Sequence, residues 1–347
     1  MTTHTNTTTV PETRIIDAGP PFNKPAADLI LRSSDLPTHT GEGECDQNGG
    51  VPVVAVTEES TTLRALLLMC YPGPNPPIDT IEKLRPVLEA ANKYEMIEIL
   101  VLIKEEMRSL AKDAPMRVYA IAVQYRFEEE AKFAARCYLN CQGPHLYVPE
   151  LEDITGGAHH RIQQYRRCCS IVASSVASGP HYRWLDYRVL APPTSHSKWT
   201  WFTCRSCAPT SGNYFGSLDD HAVIRQWWAE YMKCAEEILK ECPCGEALNT
   251  PQLLEDAIRL SSSCKICSKH VFKDISEFRV VFASEVDKAI ATVDLQVLWY
   301  PLLYNDNFEL DVVDIMTLAL LSFMDASLTL AGVSVTAPGR TSNNQAN

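Results

Sequence analysis

A chain of 347 residues with 46% hydrophobic residues is long for one domain and holds material for two cores. Its formal net charge of −12 excludes wholesale attraction to nucleic acid or to an anionic membrane surface and suits a cytoplasmic or nuclear protein. Thirteen cysteines, an odd number, with no signal-peptide pattern at the start, predict reduced thiols with metal binding as the specific exception.

Residues 1–21 are Thr-rich and read as disordered. The run 36–50 holds one Leu, one Pro and four Gly, which is loop composition. The run 51–56 has strand length and β-branched content. Leu63, Leu66, Leu67 and Cys70 then fall on one helical face, and Pro72, Pro74, Pro76 and Pro77 stop that helix. Asp79 and Glu82 have capping-box spacing and predict a helix over 80–91. A third helix from Tyr94 or Glu95 buries Met96, Ile99, Leu100, Ile103 and Met107. Asp113 and Pro115 open a helical hairpin that ends near Leu139, and 143–157 is a linker. Helices are predicted over 159–177, 220–240, 251–261 and 271–293. Trp227 and Trp228 are read as core residues. Between the first two of these helices, 179–216 is rich in Pro, Ser, Thr and aromatics. The tail 296–347 is left unassigned. Its uncharged run 315–324 is shorter than the roughly 20 residues a membrane span needs.

Several of these stretches, in this order, resemble the BTB (POZ) domain as it occurs in the expanded family of mushroom-forming fungi. The matching text is FNKPAADLILRSSD over 22–35, VPVVAV over 51–56, LRALLLMCY over 63–71 and VLEAANKY over 87–94. The hairpin over 117–131 resembles the helices that follow such a core. The family has a second strand and a helix pair where this chain has 36–50. The missing part includes the helix that forms much of the family's dimer interface. The fold class implied is mainly α (α+β), with an incomplete BTB/POZ-like domain over 22–142 and a helical, zinc-clipped domain over 158–295. The implied function is a non-enzymatic protein–protein interaction scaffold. The implied partners are another BTB chain or a cullin-type scaffold, and the missing helix weighs against both routes.

The sharpest chemical pattern is Cys204-x-x-Cys207 together with Cys264-x-x-Cys267. Two intervening residues let both thiolates of a knuckle face one ion, and two knuckles complete a tetrahedral, structural Zn²⁺ site. The 56 residues between Cys207 and Cys264 exceed the roughly 15–20 of a small finger. The expectation is therefore a clip across two looped-out helices. His270 is an alternative fourth ligand, and Cys242 with Cys244 an alternative pair. The related fungal proteins look similar here, which adds to the zinc reading. A catalytic zinc needs an open position and a general base, for which no ligand has suitable spacing. A thiol–disulfide enzyme needs a thioredoxin-like βαβ context that the pattern lacks. Cys168 and Cys169 are read as helix residues, one of them buried.

From 156 to 205 there are seven Arg or Lys and one acid, Asp186. Tyr182, Trp184, Tyr187, Trp199 and Trp201 are interleaved with them. These are the ingredients of a nucleic-acid surface, so a nucleic-acid-associated regulator using 161–205 is the alternative function. A solvated face pairing with acidic helices such as that of Glu128, Glu129 and Glu130 explains the same charges. The phosphate-binding, dinucleotide, nucleophile-elbow and metalloprotease motifs are absent from the sequence.

Overall fold

The computed structural model describes residues 20–22, 28–35, 47–48, 51–142, 147–178, 182, 184, 199–215 and 222–297. The expected disorder before residue 20 and most of the unassigned tail, with its run 315–324, lie outside the described residues. The chain is mainly helical and divides into two compact units, Met1–Ala134 and Ala135–Asn347. No helix among the described residues is long and apolar enough to cross a membrane.

In the first unit a three-stranded sheet has the order β1 (Ile30–Arg32), β3 (Val51–Ala55), β2 (Gln47–Asn48). Strands β1 and β3 run parallel with Ile30 opposite Val53, so a crossover and not a tight turn joins them. Strand β2 pairs antiparallel to β3 through Gln47–Pro52 and Asn48–Val51. The loop reading of 36–50 is corrected at these two residues. A ladder uses only backbone N–H and C=O groups, so Gln and Asn gave no signal of it.

Helix α1 (Ser60–Cys70) buries Leu63, Leu66 and Met69. Cys70 is exposed, so the inner stripe lies one residue to the side of the expected one. Asp35 accepts the backbone N–H of Ser60 at 2.9 Å and its hydroxyl at 2.6 Å, capping this helix from the β1 side. Helix α2 (Ile81–Lys93) is capped by Thr80, whose side chain accepts from the Lys83 N–H. The expected cap, Asp79, instead pairs with the Lys83 ammonium at 2.7 Å. Helix α3 (Ile97–Leu110) buries Ile99, Ile103 and Met107. Helix α4 (Pro115–Gln124) starts at its proline and is buried on nearly every side. Helix α5 (Glu128–Tyr138) follows. Leu84, Leu88, Ile103 and Met107 are fully enclosed, each contributing about 1.5–3 kcal/mol.

The division between the units falls inside α5, ahead of the expected linker 143–157. The described part of that linker contains a 3-10 turn, Pro149–Asp153. The chain after Ala134 joins the second unit because Arg166 donates to the carbonyls of Tyr138 (2.5 Å), Cys141 (2.7 Å) and Glu241 (2.5 Å).

The second unit contains α6 (Gly156–Ser178), α7 (Thr200–Thr203), β4 (Pro209–Phe215), β5 (Ala222–Arg225), α8 (Gln226–Glu241), α9 (Pro251–Ser261) and α10 (Cys267–Ile290). The strands form an antiparallel pair with an irregularity between Pro209 and Tyr214. The helix expected over 220–240 therefore begins only at Gln226, and β-branched Val223 and Ile224 belong to a strand. The last helix starts four residues earlier than expected, at Cys267. Its core is aromatic. Trp201 stacks on Trp228 at 5.7 Å, and Phe278 meets Trp199, Trp201 and Trp228 edge-on. Such pairs add about 0.5–1.5 kcal/mol each beyond area burial.

Candidate metal centre

The aromatic core carries the first cysteine pair. Helix α7 is a single turn whose C-cap is Cys204, with the Cys204 N–H bonded to the Thr200 carbonyl at 2.9 Å. Four residues are too few for a stable helix alone, so the turn needs tertiary support. It comes from Asp274 on α10, which accepts the Thr200 N–H at 2.8 Å and also the Thr200 hydroxyl. Cys207 follows the turn through Arg205 and Ser206, and its carbonyl accepts from Arg225 at 3.4 Å.

The second pair sits at the junction of α9 and α10. The Cys264 N–H bonds back to Ser261 at 3.1 Å, and Cys267 is the first residue of α10. Asp274 lies two turns further along that helix. One helix thus holds the second knuckle directly and the first through Thr200.

The four sulfurs all lie within 4.8 Å of one another. Individual separations are 3.8 Å for Cys204–Cys207, 3.6 Å for Cys204–Cys264 and 3.4 Å for Cys207–Cys267. A tetrahedron of sulfurs around an ion at about 2.3 Å has an edge of about 3.8 Å, whereas a disulfide needs about 2.05 Å. All four cysteines are free, three of them buried. This is the only group of three or more ligand residues within metal-binding reach among the described residues.

The electrostatics favour thiolate at one corner. Hydrogen bonds to the Cys264 sulfur, first from the Cys267 backbone N–H and then from the Cys207 side chain and the Ile266 N–H, outweigh its burial and hold that thiol down at about 6. Burial pushes Cys207 up to about 11 and Cys267 well above the ordinary thiol range. The Trp227 indole N–H is buried and lacks an acceptor of full hydrogen-bond geometry. It nevertheless lies near enough to the Cys267 sulfur to oppose that rise.

The alternatives proposed from sequence do not converge on this point. His270 is exposed and stands outside the group. The Cys242 thiol faces the Cys141 carbonyl at 3.8 Å, and the Cys244 thiol faces Asn140 at 3.4 Å. Cys168 and Cys169 are both buried in α6.

The basic segment is differently disposed from what its composition promised. Arg166 is committed to three carbonyls, and Tyr182, Trp199 and Trp201 are buried in the core, out of reach of stacking bases. Trp184 stacks on Phe282 at 5.5 Å. Arg183, Tyr187, Arg188 and Lys198 lie outside the described residues. Glu130, expected to balance this segment, instead pairs within the first unit with Arg108 at 2.9 Å and Lys104 at 3.9 Å. Asp274 escaped the sequence reading, and Trp227, buried in the core as expected, lies unexpectedly near the Cys267 sulfur. Asp274 lies 74 positions from Thr200, and no local pattern links the two.

Comparison with known proteins finds no matching family model, curated protein or solved structure.

Proposed function

We propose that this protein is a non-enzymatic interaction scaffold whose helical second unit is stapled by a structural zinc ion. The observation that carries the staple is the closed group of Cys204, Cys207, Cys264 and Cys267. Four sulfur ligands leave no open coordination position for a substrate or water, which favours a structural over a catalytic ion. Zinc supplies a cross-link between two segments that the sequence keeps 56 residues apart. The protein's part is to hold Cys204 and Cys207 on a turn anchored by Asp274, and Cys264 under two backbone N–H groups. The buried Trp227 N–H fits a sulfur carrying negative charge, because thiolates accept such donors better than thiols do.

The test is metal analysis of the purified protein, with Co²⁺ substitution reporting tetrahedral thiolate ligation. Wild type should carry about one equivalent and Cys264→Ser should lose it. Wild type without metal sinks the staple.

The scaffold reading rests on the BTB-like order of the segments 22–35, 51–56, 63–71 and 87–94, with the hairpin over 117–131. It places the protein in the cytoplasm or nucleus, with a second copy or a cullin-type scaffold as partner. Sedimentation over a wide concentration range and titration with a cullin N-terminal region test it. A strict monomer with no affinity for the cullin removes both partners. Binding to DNA or RNA that weakens steeply with salt would instead restore the nucleic-acid reading.

A further inference from the structure

The outward face of α10 carries two neighbouring ridges. Lys269 and Lys273 stand one turn apart, as do Phe272, Ser276 and Val280, so each set lines up along the helix, and Lys265 lies in the turn just before it. Phe272 is 62% exposed and Val280 71%, with Ile266 beside them at 47%. No acidic residue occurs between Ser262 and Lys273. Among the described residues Lys265 and Lys269 form no ion pair, and the Lys273 ammonium reaches only Glu277, at 3.9 Å. Past Val280 the face runs into a shallow groove lined by Ala283, Ala291 and Asn249 together with the charged pair Asp287 and Lys288. A basic and apolar strip is thus exposed on a chain whose net charge is −12.

The chain holds a stretch of the complementary chemistry. Within 306–315 stand four acids, Asp306, Glu309, Asp311 and Asp314, and five apolar residues, Phe308, Leu310, Val312, Val313 and Ile315. That stretch has no base, and beyond Lys288 the sequence holds one, Arg340. We infer that the stretch 306–315 docks on the Lys269–Val280 face of α10, its acids on the lysine ridge and its apolar side chains on Phe272 and Val280.

The tether permits this. Helix α10 ends at Ile290, and Phe272 lies about 27 Å back along its axis at about 1.5 Å per residue. Residues 291–297 are folded back with Leu295 buried, so the free tether is 298–305, up to about 28 Å when extended, and the stretch enters the strip from its Val280 end. A tethered segment also meets its site at an effective concentration on the order of millimolar, ahead of the same segment on a second copy. A nucleic acid matches the strip less well. Stacking needs aromatic platforms, and the strip offers Phe272 with aliphatic Ile266 and Val280.

Carbodiimide cross-linking of the full chain, prepared as a mixture of light and heavy isotope forms and read by mass spectrometry, tests this directly. The expected result is same-isotope links joining Lys269 or Lys273 to the acids of 306–314. Their yield should fall several-fold in D311K/D314K and in K269E/K273E, all exposed or outside the described fold. Hydroxyl-radical footprinting should find Phe272 protected in wild type and several-fold more reactive in D311K/D314K. A fully reactive Phe272 in wild type overturns the inference. So do mixed-isotope links, which place the stretch on a second copy. Oligonucleotide binding abolished by K269E/K273E would assign the strip to nucleic acid and overturn it as well.

Discussion

The two units reach their cores by opposite routes. In the first, the enclosed residues of α2, α3 and α4 come from helices adjacent in sequence, and they are mostly Leu, Ile, Val, Ala and Met, with Tyr119. Folding there needs little loop closure. In the second, Trp199 and Trp201 pack against Trp228 and Phe278, and the cysteine cluster joins residues 60 positions apart. The closure entropy of those long loops must be offset, and large rings plus a four-thiol clip do so. Local order thus suffices for one unit, while the other needs a cross-link.

All six tryptophans lie after Ala134, so their fluorescence reports the second unit alone, whereas far-ultraviolet circular dichroism reports both. Chelation should give the largest effect. Removing the metal should abolish or strongly lower the tryptophan-detected transition and leave hydrogen exchange over 60–110 unchanged. A common loss in both units would erase the contrast. Next comes Trp201→Ala, which removes a fully buried ring contacting Trp199, Trp228 and Phe278. It should cost about 3–5 kcal/mol, read from denaturant titration of fluorescence. Gly245→Ala should cost about 1–3 kcal/mol. An added Cβ would stand 2.5 Å from the Ala283 carbonyl and 2.7 Å from Asp287. It would thereby push the turn off α10, where the Gly245 N–H now bonds Asp287 at 2.8 Å.

What the sequence disclosed follows the same divide. Helices with a periodic apolar stripe, such as Ile99, Ile103 and Met107 in α3, were legible because burial there repeats with the helix period. The partition of ligands was legible too, since C-x-x-C is a local geometric device. What escaped depended on distant partners. The strand Ala222–Arg225 exists because β4 lies beside it, and Asp274 matters because Thr200 reaches it. Basic residues around Arg166 looked like a surface, and three carbonyls claim its guanidinium. The aromatic residues near the first knuckle looked interleaved with charge, yet they turn inward.

The smaller effects probe the first unit. Burial works against ionisation of Glu58, but the Lys93 ammonium at 2.8 Å and the Tyr94 hydroxyl at 2.6 Å outweigh it and hold the carboxyl at about 2, against an ordinary 4.5. The Ser60 hydroxyl, with that of Ser33, lowers Asp35 to about 2 as well. A depressed carboxylate stabilises fully above its unfolded value and loses that contribution as pH falls through its folded one. Stability of the first unit should therefore decline between about pH 4.5 and 2. In Glu58→Gln the decline should be shallower by under about 1 kcal/mol, given solvent screening. An unchanged pH profile would remove Glu58 from the account. Arg126 gives the smallest expected change and acts through the backbone. Its φ is 60°, it follows α4, and the Phe127 N–H closes back on the Ala122 carbonyl at 2.8 Å. That is the left-handed helix stop that glycine adopts without steric cost. Arg126→Gly should raise stability by about 0.5–1 kcal/mol, seen as slower exchange over 115–124 with the tryptophan-detected transition unmoved. Faster exchange there would mean that the Arg126 side chain, and not its backbone, holds the turn.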